Sequence, residues 1–267
     1  MTILSAFAYM GFCALVAYGA CRARFGRSII AQFDEECQMP PGVGFSGRGA
    51  VAALASLSVF FFLPLGRLPS LVPVDWGGAT AILCLAATLF LLDGGQVWRH
   101  GAARRRMAVI AALGFSLVCF AWYGRQWGVP GEVLSLDTYV AMPLARLAAW
   151  RGKAGIACLA LAGALASCRA RGAAPPQGTC ISFVHEAWHL AVAGIWTALF
   201  MPAGLAPDLH IPGVCGLAAD AAYFWLKIAA VCFVFSLAGE KVPDTPAFLS
   251  SAQWVLSVAG GALLALE

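Results

Sequence analysis

Apolar residues run through the chain in eight stretches, near 1–20, 49–65, 77–95, 107–123, 153–168, 181–201, 213–236 and 247–266, with shorter polar segments between them. A hydrocarbon core about 30 Å thick takes roughly 20 residues of helix to cross. Only helices or closed barrels satisfy their own backbone polar groups there. The stretches lack the alternation of strands. The pattern therefore predicts an all-α fold, a polytopic membrane protein of about eight transmembrane helices. No tandem repeat interrupts it, and residues 1–267 read as a single integral membrane domain.

Composition and charge sharpen that picture. The chain is 61% hydrophobic and only 11% charged, with a mean hydropathy of +0.81, where a soluble domain carries roughly 25% charged residues. The net charge of +4 is explained by topology, and nucleic acid is not an expected partner. Arg22, Arg24, Arg27, Arg48, Arg99, Arg104, Arg105, Arg106, Arg169, Arg171 and Lys241 follow odd-numbered stretches. Arg67, Arg125, Arg146, Arg151 and Lys153 follow even-numbered ones. Eleven against five, under the positive-inside rule, puts both termini outside and the connections near 21–48, 96–106, 169–180 and 237–246 inside. The first stretch meets its arginines only after the apolar run, which predicts a retained helix rather than a signal peptide.

Ten cysteines change little. Cys13, Cys84, Cys119, Cys158, Cys215 and Cys232 fall in or beside apolar stretches, where a free thiol behaves as a small hydrophobe. No CxxC pair occurs, so neither a disulfide framework nor a structural metal site is expected. Outside the stretches, residues 21–48 end in Pro40, Pro41, Gly42, Gly44 and Gly47, a loop signature. Residues 124–152 read as an interfacial segment with Trp127, Arg146 and Trp150.

The chemistry-bearing positions are few. His185-Glu186-Ala187-Trp188-His189 fits HExxH, which sets two imidazoles one helical turn apart beside a carboxylate. Asp93-Gly94-Gly95, after Leu92, resembles the aspartate element of intramembrane zinc proteases, and together these make such a protease one alternative. In those enzymes HExxH comes first, whereas here Asp93 precedes it, and no further His or carboxylate takes an obvious third-ligand position. The expectation is therefore that no metal is bound. Ionisable groups within apolar helices are costly and mark function by default. That singles out Glu186 and, in the middle of the seventh stretch, Lys227, with Asp220 as a possible partner two turns earlier. Arg104, Arg105 and Arg106 read as a positive-inside anchor.

Over its full length the chain resembles the quinone-site membrane subunit of respiratory complex I, NADH dehydrogenase subunit 1, in a shortened form. Phe183-Val184-His185-Glu186-Ala187 resembles the family's Phe-x-Ala-Glu-Tyr, with Leu199-Phe200 following at nearly the family's distance. Lys227 matches the lysine of the next helix, Pro243 the proline of the loop after it, and Trp254 the tryptophan opening the last helix. Gly78 and Trp98 are separated like the family's Gly and Gly-Trp across its third helix. Arg27 stands at the arginine of the first helix's tail, and Met39-Pro40-Pro41-Gly42-Val43-Gly44 resembles the loop beside the quinone entrance. The family's acidic connection between helices 5 and 6 is reduced to Arg169–Cys180, which lacks a carboxylate. Its Ser-Tyr-Glu of helix 4 is replaced around Ser116-Leu117-Val118.

The resemblance implies eight helices and a core subunit of proton-translocating NADH:ubiquinone oxidoreductase, without a redox centre of its own. Ubiquinone would be the substrate, with NADH, FMN and iron–sulfur clusters on partner subunits. Arg27, Pro40, Pro41, Gly42 and Gly44 would line the chamber's inner mouth, and Glu186, Lys227 and Asp93 would couple quinone reduction to proton transfer. Expected partners are the peripheral-arm quinone module, antiporter-like membrane subunits and lipid. The implied location is the mitochondrial inner membrane, or alternatively the bacterial cytoplasmic membrane. The membrane subunit of a related energy-converting hydrogenase would share the fold and stays open as a reading.

Overall fold

The computed structural model describes residues 9, 11–20, 47–64, 69–72, 74–93, 101–129, 131–141, 143–144, 148–171, 179–202, 213–241 and 246–267. Among these, all regular structure is helical. Helix α1 spans Gly11–Ala20. Helix α2, Gly47–Ser58, tightens into a 3-10 turn at Val59–Phe62. Then come α3, Gly77–Asp93, α4, Gly101–Gln126, the short α5, Leu136–Ala141, and α6, Trp150–Arg171. Helices α7, Thr179–Phe200, α8, Gly213–Lys241, and α9, Pro246–Ala265, complete the described part. Three of these helices are long and apolar enough to cross a membrane: Gly101–Gln126, Trp150–Arg171 and, within α8, Gly213–Gly239.

Each apolar stretch in the sequence corresponds to one helix, but the helices outrun the hydropathy. Helix α4 starts at Gly101 rather than near 107, and α6 covers Trp150–Arg171 rather than 153–168. The added turns carry Arg104, Arg105, Arg106, Arg169 and Arg171. Arginine is a good helix former, so the backbone continues where the apolar run has ended. The connections expected at 96–106, 169–180 and 237–246 are correspondingly narrower, because 101–106, 169–171, 179–180, 237–241 and 246 are helical. The segment read as interfacial contains α5.

Apolar side chains cover the outside of the bundle as well as filling its interior, and some polar groups are buried. Leu83, Phe90, Val118, Leu161, Leu226, Phe233 and Val258 face outward, while Ser56, Thr88, Ser116, Glu186, Asp220 and Gln253 are buried. Several of the buried hydroxyls are satisfied locally or across helices. Ser56 Oγ donates to Thr88 Oγ1 at 3.2 Å, and Thr88 Oγ1 donates to the Cys84 carbonyl at 2.9 Å. Such internal hydrogen bonding suits a surrounding solvent that offers none.

Helix α7 is the centre of the bundle: every residue from Val184 to Ile195 is buried. It is approached so closely that a Cβ on Gly194 would meet Leu63 Cδ1 at 2.5 Å. Helices α6 and α9 lie antiparallel and touch backbone to backbone. A Cβ on Gly155 would sit 2.9 Å from the Gly260 carbonyl oxygen, and one on Gly260 would sit 2.8 Å from that of Gly155. Small residues allow such approach where lipid competes equally for apolar side chains. Near the start of α1, Tyr9 and Phe12 pack with Phe60 around Trp225 of α8, with ring centroids 5.2–6.4 Å from the indole.

The connections at one end of the bundle are tied together. Asp137, in the first turn of α5, accepts from Ser70 N at 2.8 Å and from Ser70 Oγ at 2.7 Å. The Leu134 carbonyl accepts from Gly78 N at 2.9 Å. Tyr123 Oη donates to Glu267 Oε1 at 3.1 Å. The opposite end is the more arginine-rich, with Arg104, Arg105, Arg106, Arg169 and Arg171 against Arg125 and Arg151 at this one.

Candidate functional site

The sequence places Arg171 at the last turn of α6 and Glu186 in the third turn of α7. Because the connection between these helices is short, the two helices run antiparallel and their adjoining ends face each other. The result is a buried ion pair, Arg171 Nη2 to Glu186 Oε2 at 2.7 Å, with the side chains 7% and 1% exposed. Arg171 Nε donates in addition to Ser236 Oγ on α8 at 2.7 Å, and that hydroxyl donates to the Cys232 carbonyl at 2.9 Å. The guanidinium thus joins α6, α7 and α8, and it supplies the opposite charge a buried carboxylate needs.

Beside the pair sit both histidines of the HExxH stretch. His185 Nδ1 lies 3.8 Å from Glu186 Oε1, and His185 Nε2 lies 3.3 Å from His189 Nε2. The rings meet edge to face with centroids 4.4 Å apart, and His189 packs edge-on against Trp188 with centroids 5.0 Å apart. Trp188 is itself fixed, since its Nε1 donates to the Leu85 carbonyl on α3 at 3.2 Å. The two imidazoles, the carboxylate and the guanidinium form one buried polar cluster.

The remaining sequence candidates fall elsewhere. Lys227, in the middle of α8, reaches toward the opposite end of α7. Its Nζ donates to the Met201 carbonyl just past the end of that helix and lies 4.8 Å from the Tyr223 ring centroid. A cation at a helix C-terminus meets the negative end of the macrodipole. Asp220 is fully buried on the same helix, two turns before Lys227. Asp93 closes α3. Arg27, Pro40, Pro41, Gly42 and Gly44 lie outside the described residues. Glu186 and Lys227 are therefore both buried but belong to different ends of the bundle.

Sequence reading overlooked Arg171 and Ser236, having counted the arginine only as a topological charge. The signal was present: a basic residue ending one helix, a connection of few residues, and a carboxylate on the next helix. For a zinc protease the geometry is mixed. The imidazole nitrogens converge, but Glu186 is engaged with Arg171. Among the described residues no group of three or more His, Cys, Asp or Glu side chains is placed to hold a metal ion. Neither protein-family models nor curated protein sequences match this chain.

Proposed function

We propose that this chain is a core membrane subunit of a proton-translocating NADH:ubiquinone oxidoreductase, with eight membrane spans and both termini on the outer side. One observation carries the reading: a carboxylate, Glu186, is held in the protein interior at the arginine-rich end of the bundle by Arg171. A charge kept at that depth costs several kcal/mol unless paired, and ionisable groups retained inside membrane bundles line ion and proton pathways. In this reading the arginine-bearing end faces inward and docks the peripheral arm. Arg27 and the segment from Pro40 to Gly44 border the quinone entrance, and Glu186 with its partners couples quinone reduction to proton movement. Lys227 contributes a second buried charge near the opposite face, and Asp93 a third ionisable position at the end of α3.

The membrane subunit of an energy-converting hydrogenase shares these supports. The two are separated by what co-purifies: NADH-binding and iron–sulfur subunits in one case, a hydrogenase large subunit in the other. Solubilisation in mild detergent and affinity capture of the tagged chain is the direct experiment. Recovery of the chain without any redox partner overturns the reading. Within a recovered complex, Glu186→Gln is expected to leave assembly intact and to depress proton pumping at least several-fold, whereas Asp75→Asn, at an exposed position, leaves it unchanged. Normal pumping by the Gln variant reduces Glu186 to a structural anchor.

A further inference from the structure

The polar cluster holds two more titratable groups than a single coupling carboxylate requires. We infer that His185 and His189 share one proton between their Nε2 atoms and work as a two-step proton relay, leading from Glu186 one helical turn deeper along α7. The use of the relay in pumping rests on the proposed function; the proton sharing does not.

Both imidazoles are in the core, 1% and 3% exposed. Their Nε2 atoms face each other at 3.3 Å. Two lone pairs so placed repel, and so do two N–H groups. The contact is stable only when one nitrogen carries hydrogen and the other accepts it, because neutral imidazole has one donor and one acceptor nitrogen. The far nitrogen of His185, Nδ1, faces Glu186 Oε1 at 3.8 Å. Arg171 occupies the other carboxylate oxygen at 2.7 Å, so the carboxylate is anchored with its second oxygen nearest the histidine but outside hydrogen-bond distance, and the first transfer requires the two to close by about 0.6 Å. The order along the cluster is therefore guanidinium, carboxylate, imidazole, imidazole.

The transfer balances without any co-reactant. A proton arriving at Glu186 passes to His185 Nδ1, forming that N–H bond. The Nε2–H bond of His185 breaks, and its proton forms an N–H bond at His189 Nε2. His185 is left neutral in the opposite tautomer, and His189 carries the charge. Return to the starting tautomer requires the reverse transfer or a ring rotation. A donor–acceptor separation of 3.3 Å is about 0.1 Å beyond the usual range for N–H hydrogen bonds, an approach within ordinary side-chain motion. If the histidines were only core filler, an uncharged side chain of similar shape that also hydrogen bonds would serve equally well.

That difference is the test. In the purified complex reconstituted into proteoliposomes, His185→Gln and His189→Gln are compared with the parent for protons moved per quinone reduced. Each is expected to assemble and to slow proton transfer by about a hundredfold or more, the lower end of what one positioned proton-transfer group contributes, so that the ratio falls toward zero. The double variant should be no worse than either single one, as for links in series. Full pumping by either single variant overturns the relay. Independently, the full chain in lipid nanodiscs with 15N-histidine should give a through-hydrogen-bond coupling between two imidazole nitrogens, lost in His189→Gln. Absence of that coupling in the parent overturns proton sharing. So does stoichiometric Zn2+ uptake that consumes both imidazoles, which identifies the pair as metal ligands. Should no redox subunit co-purify, the proposed function fails while the nitrogen coupling still decides the histidine pair.

Discussion

Removing the guanidinium from the core is the sharpest perturbation the structure offers. In Arg171→Met the side-chain volume is roughly kept, but Glu186, 1% exposed, loses the partner at 2.7 Å, and Ser236 loses the donor at 2.7 Å. Breaking a buried pair from one side costs about 3–5 kcal/mol, because the surviving charge stays out of water. The Ser236 bond adds about 1 kcal/mol. At 1.4 kcal/mol per factor of ten, the ratio of folded to unfolded protein should fall on the order of a thousand-fold. Glu186→Leu should cost a comparable amount by stranding the arginine. The double variant Arg171→Met/Glu186→Leu removes both charges, and apolar replacement of a whole buried pair is often neutral or stabilising. It should therefore recover most of the loss. Denaturant unfolding in nanodiscs, run as a double-mutant cycle, measures the coupling. An Arg171→Met variant within about 1 kcal/mol of the parent, or a double variant as unstable as the sum of the singles, would refute a buried, mutually dependent pair.

Other outcomes are equally concrete. Gly155→Ala should destabilise by about 1–3 kcal/mol, because its Cβ meets a backbone oxygen that cannot swing away; Gly19→Ala, with open space around it, should be neutral or gain about 0.5 kcal/mol, and paired melting curves compare the signs. Asp137→Ala removes the acceptor of both Ser70 bonds and should cost about 1–3 kcal/mol, read as faster amide exchange across 69–72 and 131–138. Lys227→Met deprives the Met201 carbonyl of a donor and should lower stability by about 1–3 kcal/mol; unchanged melting would mean the contact is not formed in the membrane.

The helical class and the number of apolar stretches were legible because lipid demands long uninterrupted hydrophobic runs, a signal that survives without any alignment. Helix ends were less legible. At Gly101 and Arg171 the hydropathy falls away while arginines keep the backbone helical, so a hydropathy boundary marks where lipid stops rather than where hydrogen bonding stops. Glu186 and Lys227 stood out from their depth in the sequence pattern, and both are buried. Their partners could not be read in the same way. The sequence offers Asp220 as one possible partner of Lys227, and its charge does act on the amine, while the hydrogen bond goes to a carbonyl at the end of α7. Arg171 was hidden by its second role, since any arginine beside a membrane helix also satisfies the positive-inside rule. Contacts between helices depend on rotation about each axis, which composition does not specify, although a short connection narrows the choice.

The glycine contact between α6 and α9 bears on how the chain is put together. Gly155 and Gly260 stand more than a hundred residues apart, and their helices are separated in the sequence by α7 and α8. A ribosome delivers α6 into the bilayer well before α9 exists. Until then the groove at Gly155, shaped for another backbone, has only lipid tails to fill it. This face of α6 is consequently covered only once α9 arrives, and interruption of synthesis before α9 leaves a seam open along α6. A quality-control factor that surveys membrane helices for exposed small-residue faces would find its mark there. The same seam makes α9 the natural site for separating the molecule into two co-expressed pieces that reassemble, with the fit at Gly155 and Gly260 guiding the join.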